Sequence, residues 1–316
     1  MDIYVKKAII HQFSPDDTDL YLADKFLNIT PKIEEYLRKK IERVYSDEAR
    51  TGIFEEDNPF LEMISDDLLE TSVAVANRWK EEFVVSENQK TNDLVFVQFS
   101  KEGVEHFAFL RIALRETLTH LGGEVDNPIK LTQNNLPGFG TGADEALVIN
   151  LQSRKYHLIE KRIKYNGTFL NYFSENLLQA QPKISPKKSI KALEKTAQKI
   201  AESFNTDDFQ FQSKVKSAIF NHIEEENKLS PEKLADDLFD DNLTARLSFI
   251  DQVKEAVPEP VTFEEIDASR QLKKFENQKL SLSNGIELIV PNNVYEDAES
   301  VEFILNENGT YSILIK

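Results

Sequence analysis

The hydrophobic pattern changes period several times along the chain, and each period predicts one kind of element. Residues 5–13 are rich in β-branched and apolar side chains, a turn sequence from Ser14 to Asp17 follows, and residues 20–22 resume the apolar pattern. This order predicts two strands joined by a turn. Thr30 and Pro31 then predict the capped start of a helix. Its apolar face recurs at helical spacing through Ile33, Leu37, Ile41 and Val44.

A second helical stripe comes next, and a set of strands follows it. The stripe is predicted to start at Asn58-Pro59 and consists of Leu61, Ile64, Leu68, Val75, Trp79 and Phe83. Residues 94–99 and 106–110 are strand-like, and Lys101-Glu102-Gly103 between them predicts a hairpin. Residues 114–121 and 146–150 are interpreted as further strands of an antiparallel sheet, and residues 169–178 as a short helix.

The pattern becomes strongly helical after a boundary at residues 179–185, which include Pro182. We expect a domain over 1–182 and a second over 183–316. Ser185-Pro186 and Ser230-Pro231 predict helix starts, and helices are expected over about 186–204, 207–227, 231–240 and 242–256. The chain then returns to strands, with Asn308-Gly309 as a hairpin turn. The predicted fold class is α+β: an N-terminal antiparallel sheet with helices, followed by a helical region ending in a small β-meander.

Composition excludes several kinds of site. The 316 residues include no cysteine, which rules out disulfides, iron–sulfur clusters, zinc ribbons and thiolate catalysis. The formal net charge of −17 argues against a surface that coats nucleic acid or an anionic membrane everywhere. The first residues lack the pattern of a signal peptide, and no apolar run is long enough to span a bilayer. We therefore expect an acidic cytoplasmic protein with no membrane partner.

One basic segment interrupts this acidic chain. Residues 152–201 carry a net charge of +8, whereas residues 1–151 carry −12 and residues 202–268 carry −11. Lysines recur every four residues in this segment, with one more beside them, and so predict a basic ridge along one helix. The ridge consists of Lys187, Lys188, Lys191, Lys195 and Lys199. With it, the candidate DNA-contact residues include five basic side chains nearby: Arg154, Lys155, Lys161, Arg162 and Lys164.

The basic ridge allows two interpretations. It is either the solvated face of an ordinary amphipathic helix or a surface that contacts phosphates. Distant acidic residues do not exclude the second interpretation, because the Debye length is about 8 Å at physiological salt. Few aromatic residues are interleaved with the ridge, so we expect no base stacking there and little sequence specificity.

The acidic clusters beyond residue 202 also allow two interpretations. They either promote solubility and match helix dipoles, or they dock a basic protein partner such as a DNA-handling enzyme. The clusters are Asp207-Asp208, Glu224-Glu225-Glu226, Asp236-Asp237 and Asp240-Asp241.

No set of residues indicates a reaction. The five histidines form no HxxxH or HExxH pair, and the spacing of His157 and Glu160 is common by chance. The glycine-rich run from Gly138 to Gly142 has neither the lysine of a P-loop nor the spacing of a dinucleotide fingerprint, which favours an ordinary loop. We identify no catalytic residue and expect no metal site, no cofactor and no enzymatic activity.

Several apolar segments occur in an order that resembles a known family. They are Ala8–Gln12, Arg43–Ser46, Gly52–Phe54, Leu147–Leu151, Tyr156–Ile159, Phe169–Leu178 and Asn308–Ile315. In this order and in chain length, the sequence resembles the bacterial nucleoid-associated protein family of the NdpA type. The similarity covers nearly the whole chain and rests on dispersed apolar positions. It implies a cytoplasmic protein located at the nucleoid, and it carries over no catalytic residue.

These observations lead to two main hypotheses for function, and to a third, an enzyme with an unrecognised site, which a deep pocket around His157 or the Gly138–Gly142 loop would support. The first is a non-enzymatic nucleoid-associated protein that binds DNA non-specifically through the basic ridge. The alternative is an acidic interaction module, recruited to the nucleoid by docking a DNA-handling protein such as a topoisomerase or polymerase. By analogy we expect a homodimer, which would double the basic ridge.

Overall fold

The chain folds into two compact units, Met1–Lys183 and Ile184–Lys316. The computed structural model describes residues 2–16, 18–85, 90–120, 129–165, 167–204, 209–281, 287–295, 299–306 and 311–316. Among these residues, no helix combines the length and the apolar character needed to cross a bilayer. Each unit has its own apolar core, and the fold is α+β, as predicted.

The first unit contains most of the strands. These are β1 (Ile3–Ser14), β2 (Asp19–Tyr21), β3 (Arg50–Ile53), β4 (Asn92–Lys101), β5 (Val104–Ala113), β6 (Arg115–His120), β7 (Ile129–Asn135), β8 (Glu145–Asn150), β9 (Lys155–Ile159), β10 (Ile163–Tyr165) and β11 (Thr168–Leu170). The α-helices of this unit are α1 (Pro31–Glu42) and α2 (Leu68–Phe83). Short 3-10 helices lie at Arg43–Tyr45 and Leu61–Met63, and a π-helix lies at Phe173–Leu177.

An antiparallel sheet of seven strands organises this unit, in the order β2-β1-β4-β5-β8-β9-β3. The predicted hairpin is confirmed: β4 pairs with β5 through the turn at Glu102-Gly103. The sheet is buried on both faces, which explains why β4 is a nearly continuous apolar run. Leu94 and Phe96 pack in the core cluster that contains Trp79 of α2, whereas Val95 and Val97 pack in the cluster that contains Ile41 of α1.

Helix α1 begins where the sequence predicts. The Thr30 side chain accepts a hydrogen bond from the Ile33 N–H at 3.4 Å, and Pro31 occupies the first turn, where its missing N–H costs nothing. Leu37 and Ile41 are buried against the sheet, and Lys40 is buried beside them. This last burial is unusual for a lysine.

Three predicted elements differ in the structure. Helix α2 begins at Leu68 rather than at Asn58-Pro59, because the Asp67 side chain caps it by accepting the Leu69 N–H at 2.9 Å. Strand β6 pairs with β7 in a separate two-stranded sheet and does not extend the main one, and Leu121 lies outside the described residues. The predicted helix over 169–178 is instead the end of β11 followed by the π-helix.

The second unit begins with helices. They are α3 (Pro186–Ser203), α4 (Phe209–Glu226), α5 (Pro231–Leu238), α6 (Leu243–Ala256), α7 (Ser269–Phe275) and α8 (Asn292–Tyr295). The first five share one core cluster, centred on fully buried residues such as Leu193, Ile219, Leu234, Phe249 and Phe275. The sequence did not predict the short helices α7 and α8.

Small two-stranded sheets complete the second unit. Strands β12 (Lys228–Leu229) and β13 (Val261–Thr262) pair with each other, as do β14 (Asn277–Ser281) with β15 (Glu287–Pro291) and β16 (Val301–Leu305) with β17 (Tyr311–Ile315). The predicted strands at the C-terminal end are thus present as separate hairpins. The predicted turn at Asn308-Gly309 lies outside the described residues.

Candidate nucleic-acid interface

Helix α3 separates an apolar face from a lysine face. Its apolar residues are buried in the core of the second unit: Ile190, Leu193, Ala197, Ile200 and Ala201. All five ridge lysines are exposed. With a rise of 1.5 Å per residue, the ridge from Lys187 to Lys199 extends about 18 Å, which is about five phosphate steps along one DNA strand. Pro186 starts the helix, but the Ser185 side chain makes no capping hydrogen bond, contrary to the sequence prediction.

The ridge differs in its ion pairing from several other basic residues of the same unit. Elsewhere in this unit, six basic side chains pair with carboxylates: Lys214 with Asp240, Lys233 with Glu226, Arg246 with Asp236, Lys274 with Glu194, Lys279 with Glu287 and Lys316 with Glu302. Lys188, Lys191 and Lys195 make no ion pair or hydrogen bond with any residue that the structure describes. Lys199 donates to the side-chain oxygen of Gln252, a neutral residue, at 3.0 Å.

The other five candidate DNA-contact residues belong to the first unit, and several of them have internal partners. Arg154 pairs with Glu56 at 3.0 Å, and Lys161 pairs with Asp144 at 3.0 Å. Arg162 donates from Nη2 to the Phe169 carbonyl oxygen at 2.6 Å. Lys155 at the start of β9 and Lys164 in β10 are exposed. The ten candidates are therefore divided between two units, and the continuous array is the ridge on α3.

The strand pairing of β10 and β11 adds an aromatic residue to this basic set. Lys164 lies directly opposite Phe169 across the two strands. The side chain of Phe169 is 56 % exposed. Charge spacing did not single out Phe169 as a site residue, although Asn166-Gly167 is a strong hairpin-turn signal in the sequence that predicts the two residues side by side.

Comparison with known proteins identifies the family. The family model described as nucleoid-associated protein YejK matches residues 9–316. The chain belongs to this family. The match confirms the resemblance in apolar segments, and a search of curated proteins finds no match to the chain. Nucleoid association is thus the property that the family description supplies.

In this YejK-family chain, many of the acidic clusters have partners inside their own unit. Asp236 pairs with Arg246, Asp237 lies 2.7 Å from His222 Nε2, and Asp240 pairs with Lys214. Glu224 and Glu225 are exposed on α4, and Asp207-Asp208 lie outside the described residues. These pairs link α5 and the turn after it to α4 and α6, which is a structural use of acidic side chains that the sequence alone does not reveal.

The glycine-rich loop of the YejK-family chain surrounds a buried ammonium group. The carbonyl oxygens of Pro137, Gly138 and Thr141 accept hydrogen bonds from Lys40 Nζ. Burial, together with the positive charge of Arg43 and Arg115, lowers the pKa of Lys40 to about 8. The loop therefore directs carbonyl oxygens, not N–H groups, towards its centre. This arrangement suits a cation and not a phosphate.

The candidate histidines lie in structural surroundings. His157 is buried in β9, and its ring centroid is 4.6 Å from that of Tyr45. His11 Nδ1 accepts the Ala23 N–H at 3.0 Å, and burial lowers the pKa of His11 to about 4.

A groove of about 580 Å³ lies elsewhere in the first unit. Its lining consists of Arg78, Glu82, Glu175, Asn176, Gln179, Ala180 and Gln181. Neither His157 nor the glycine-rich loop lines this groove.

A buried polar network anchors the N-terminal end of the π-helix to the sheet. Arg111 donates from Nε to Glu145 at 2.7 Å and from Nη1 to Asn92 at 2.8 Å. Tyr172 also donates to Glu145, and Trp79 donates to the Tyr172 hydroxyl at 3.0 Å. Burial and the adjacent Glu145 carboxylate raise the pKa of Tyr172 well above its ordinary value. Because these groups are enclosed in the core, the network stabilises the fold and does not present a site to ligands.

Proposed function

We propose that this protein is a non-enzymatic component of the cytoplasmic nucleoid that binds duplex DNA directly and without sequence specificity, through the basic ridge on α3. The observation that carries the proposal is the contrast in pairing within the second unit. Six basic side chains elsewhere in the unit pair with carboxylates, whereas Lys188, Lys191 and Lys195 follow one another along one face of a single helix, are exposed and have no partner among the described residues. Unpaired lysines keep their full charge for phosphates.

The geometry of α3 supports non-specific rather than specific contact. The ridge lysines are flexible point charges without the planar fork that reads guanine edges. They span about five phosphate steps, and no aromatic residue lies among them on the exposed face. Phosphate contacts position a protein on DNA but carry no sequence information.

Titration of a fluorescent DNA duplex with the purified protein tests the proposal directly. Anisotropy should report binding that weakens steeply as salt increases. If five lysines each neutralise one phosphate, the slope of log K against log salt is about −4.5. No binding at low salt would contradict direct contact. Two duplexes of unrelated sequence should give the same affinity.

A second candidate function is recruitment by a DNA-handling protein, such as a topoisomerase or polymerase, that docks on acidic helices. Exposed Glu224 and Glu225 on α4 favour it, because they are acidic residues without an ion pair among the described residues. The two candidates make opposite predictions for purified components. Recruitment predicts no duplex binding by the protein alone, together with nucleoid localisation that is lost when Glu224 and Glu225 are replaced by Gln.

We also propose that two copies associate through the arm, defined as the β6–β7 hairpin. Leu118 and Leu131 lie directly opposite each other on one face of the arm, and Ile129 continues that face. These side chains are 71 %, 55 % and 66 % exposed, respectively. Isolated two-stranded hairpins are marginal in water, and contiguous exposed apolar faces mark interaction sites.

The charge of the arm favours a second copy as its partner. Its described charged residues, Arg115, Glu116 and Lys130, nearly cancel, whereas the whole chain carries −17. Two copies of so acidic a protein repel each other over most of their surfaces, and the arm combines low charge with an apolar face. The same self-complementary patch on both copies suits a two-fold symmetric dimer.

A further inference from the structure

We propose that the β10–β11 hairpin of the first unit is a contact site for unpaired DNA bases, with Phe169 as the stacking residue. The site would take single-stranded DNA or unpaired segments within a duplex. This inference rests on the proposed function in that both concern DNA binding. It places the contact on the first unit instead of the second, and on base stacking instead of phosphate binding.

Strand register determines which side chains of the hairpin face solvent. Ile163 pairs with Leu170, and both pack against the core cluster of the first unit. Successive residues of a strand point to opposite faces. Lys164 and Phe169, the next pair along, therefore point away from the core. The pair of Ile163 and Leu170 thus fixes the hairpin to the core, and the pair of Lys164 and Phe169 faces solvent.

Two basic residues are direct neighbours of Phe169. Lys164 is the cross-strand neighbour of Phe169, and directly opposite residues have Cβ atoms about 5 Å apart. Arg162 is bonded through Nη2 to the Phe169 carbonyl oxygen, so its guanidinium is held beside the same residue. Lys161 continues the basic run, with its charge shared with Asp144.

An exposed aromatic residue with basic neighbours matches the chemistry of single-stranded nucleic acid. Bases stack on exposed aromatic rings with little regard to sequence, while basic groups follow the backbone. An exposed Phe by itself is common and needs no explanation. Here Phe169 has a lysine opposite it on the neighbouring strand, and an arginine side chain donates to its backbone carbonyl oxygen. One base could therefore stack on the ring while the basic side chains bind the neighbouring phosphates. Bases within a regular duplex are already stacked, so the hairpin and the basic ridge would recognise different features of DNA.

The test compares full-length variants on two ligands, a fluorescein-labelled oligothymidine and a blunt duplex. Phe169→Ala should weaken oligothymidine binding about tenfold, the size expected when one stacking ring is lost. Duplex affinity should change less than about twofold, since phosphate contacts dominate there. Phe169→Trp should restore oligothymidine binding. Oligonucleotides that contain 2-aminopurine should lose fluorescence on binding wild-type protein but not Phe169→Ala, because stacking quenches that base.

Phe26→Ala is the matched control. Phe26 is 42 % exposed, and Lys7 Nζ lies 5.4 Å from its ring centroid, so it is also an exposed ring beside a lysine. It lies next to β1, near the opposite edge of the seven-stranded sheet from β9. Its replacement should leave both affinities unchanged.

The outcomes separate this inference from the proposed function. If wild-type protein does not bind oligothymidine, or if Phe169→Ala binds it as tightly as wild type, the inference is overturned whatever the duplex result. If Phe26→Ala and Phe169→Ala have equal effects, the loss is non-specific and the inference also fails. If oligothymidine binding depends on Phe169 while the duplex does not bind, the hairpin site stands and the proposed role of α3 is contradicted.

Discussion

Lys40 Nζ lies 2.9 Å from the carbonyl oxygen of Gly138, which is 98 residues away in sequence. The same ammonium group donates to Thr141 and, at 3.4 Å, to Pro137, and it lies 4.5 Å from the ring centroid of Tyr36. A buried lysine is costly unless its hydrogen bonds are satisfied. The glycine-rich loop satisfies them with backbone carbonyls and is thereby fixed to α1.

Replacing Lys40 with Met should therefore loosen the loop. The variant keeps the apolar stem of the side chain but removes the donor to Thr141, whereas the Pro137 oxygen keeps the Tyr36 hydroxyl and the Gly138 oxygen keeps the Thr141 N–H, each at 3.0 Å. We expect it to lose about 1–3 kcal/mol of unfolding free energy, the cost of one unsatisfied buried polar group. Urea unfolding measures the loss, and limited proteolysis should show new cleavage within residues 137–142.

Lys32→Met is the matched control for this prediction. Lys32 is an exposed residue in the first turn of the same helix. Exposed substitutions of this kind contribute little, so the control should change stability by less than about 0.5 kcal/mol. Equal losses in the two variants would show that the contacts to the loop do not stabilise the fold.

The elements predicted correctly depend on local sequence. The cap at Thr30, the turn at Glu102-Gly103 and the lysine spacing of α3 each involve residues within one or two turns of each other. The predicted start of α2 was wrong for a related reason. Asn58-Pro59 has the composition of a helix start, but Asp67 also does, and only the tertiary structure selects between them.

The parts of the site that the sequence could not predict depend on distant residues. Arg154 is neutralised by Glu56, and Lys161 by Asp144, through pairs that the fold brings together. A count of charge by segment treats these residues and Lys191 alike. Pairing of β10 with β11 likewise moves Phe169 next to Lys164. Charge along a chain thus indicates where a basic surface can form, but pairing determines which charges stay available.

Charge reversal on α3 should weaken duplex binding. Lys191→Glu with Lys195→Glu removes two phosphate contacts and adds repulsion. The salt slope should fall in magnitude by about 1.8, from about −4.5 to about −2.7, and affinity at low salt should fall at least about tenfold. A fluorescent fusion of the same variant should leave the nucleoid and spread through the cytoplasm.

The control for charge reversal is a double variant with the same change in net charge at other exposed positions of the second unit. Lys228 in β12 and Lys254 in α6 are both exposed, and neither lies on α3. Lys228→Glu with Lys254→Glu should keep most of the affinity. If the two double variants lose equal affinity, DNA binding depends on the overall charge of the protein, and α3 is not the contact surface. If the α3 variant stays on the nucleoid, recruitment by another protein is the better explanation.

Self-association through the arm has its own test. Leu118→Glu with Leu131→Lys replaces an apolar cross-strand pair by an opposite-charge pair, which keeps the hairpin paired but removes its apolar face. Sedimentation equilibrium should give twice the chain mass of 36.3 kDa for wild type and the single mass for the variant. Thr117→Glu with Thr132→Lys makes the same change on the other face and should remain dimeric. A monomeric wild type would contradict the dimer.

Stability below neutral pH should depend on His11. The Ala23 N–H donates to Nδ1, so the proton of the neutral ring is on Nε2, 2.9 Å from Ser72 Oγ. Burial lowers the pKa of His11 from 6.5 to about 4, so the unfolded chain binds a proton in this interval and the folded chain does not. The stabilisation is therefore complete above pH 6.5 and is lost as the pH falls to about 4, by roughly 3 kcal/mol in total. His11→Gln removes this titration. Urea unfolding of both proteins from pH 7 to pH 4 should show wild type losing its advantage over the variant, and a constant difference would contradict a buried neutral histidine.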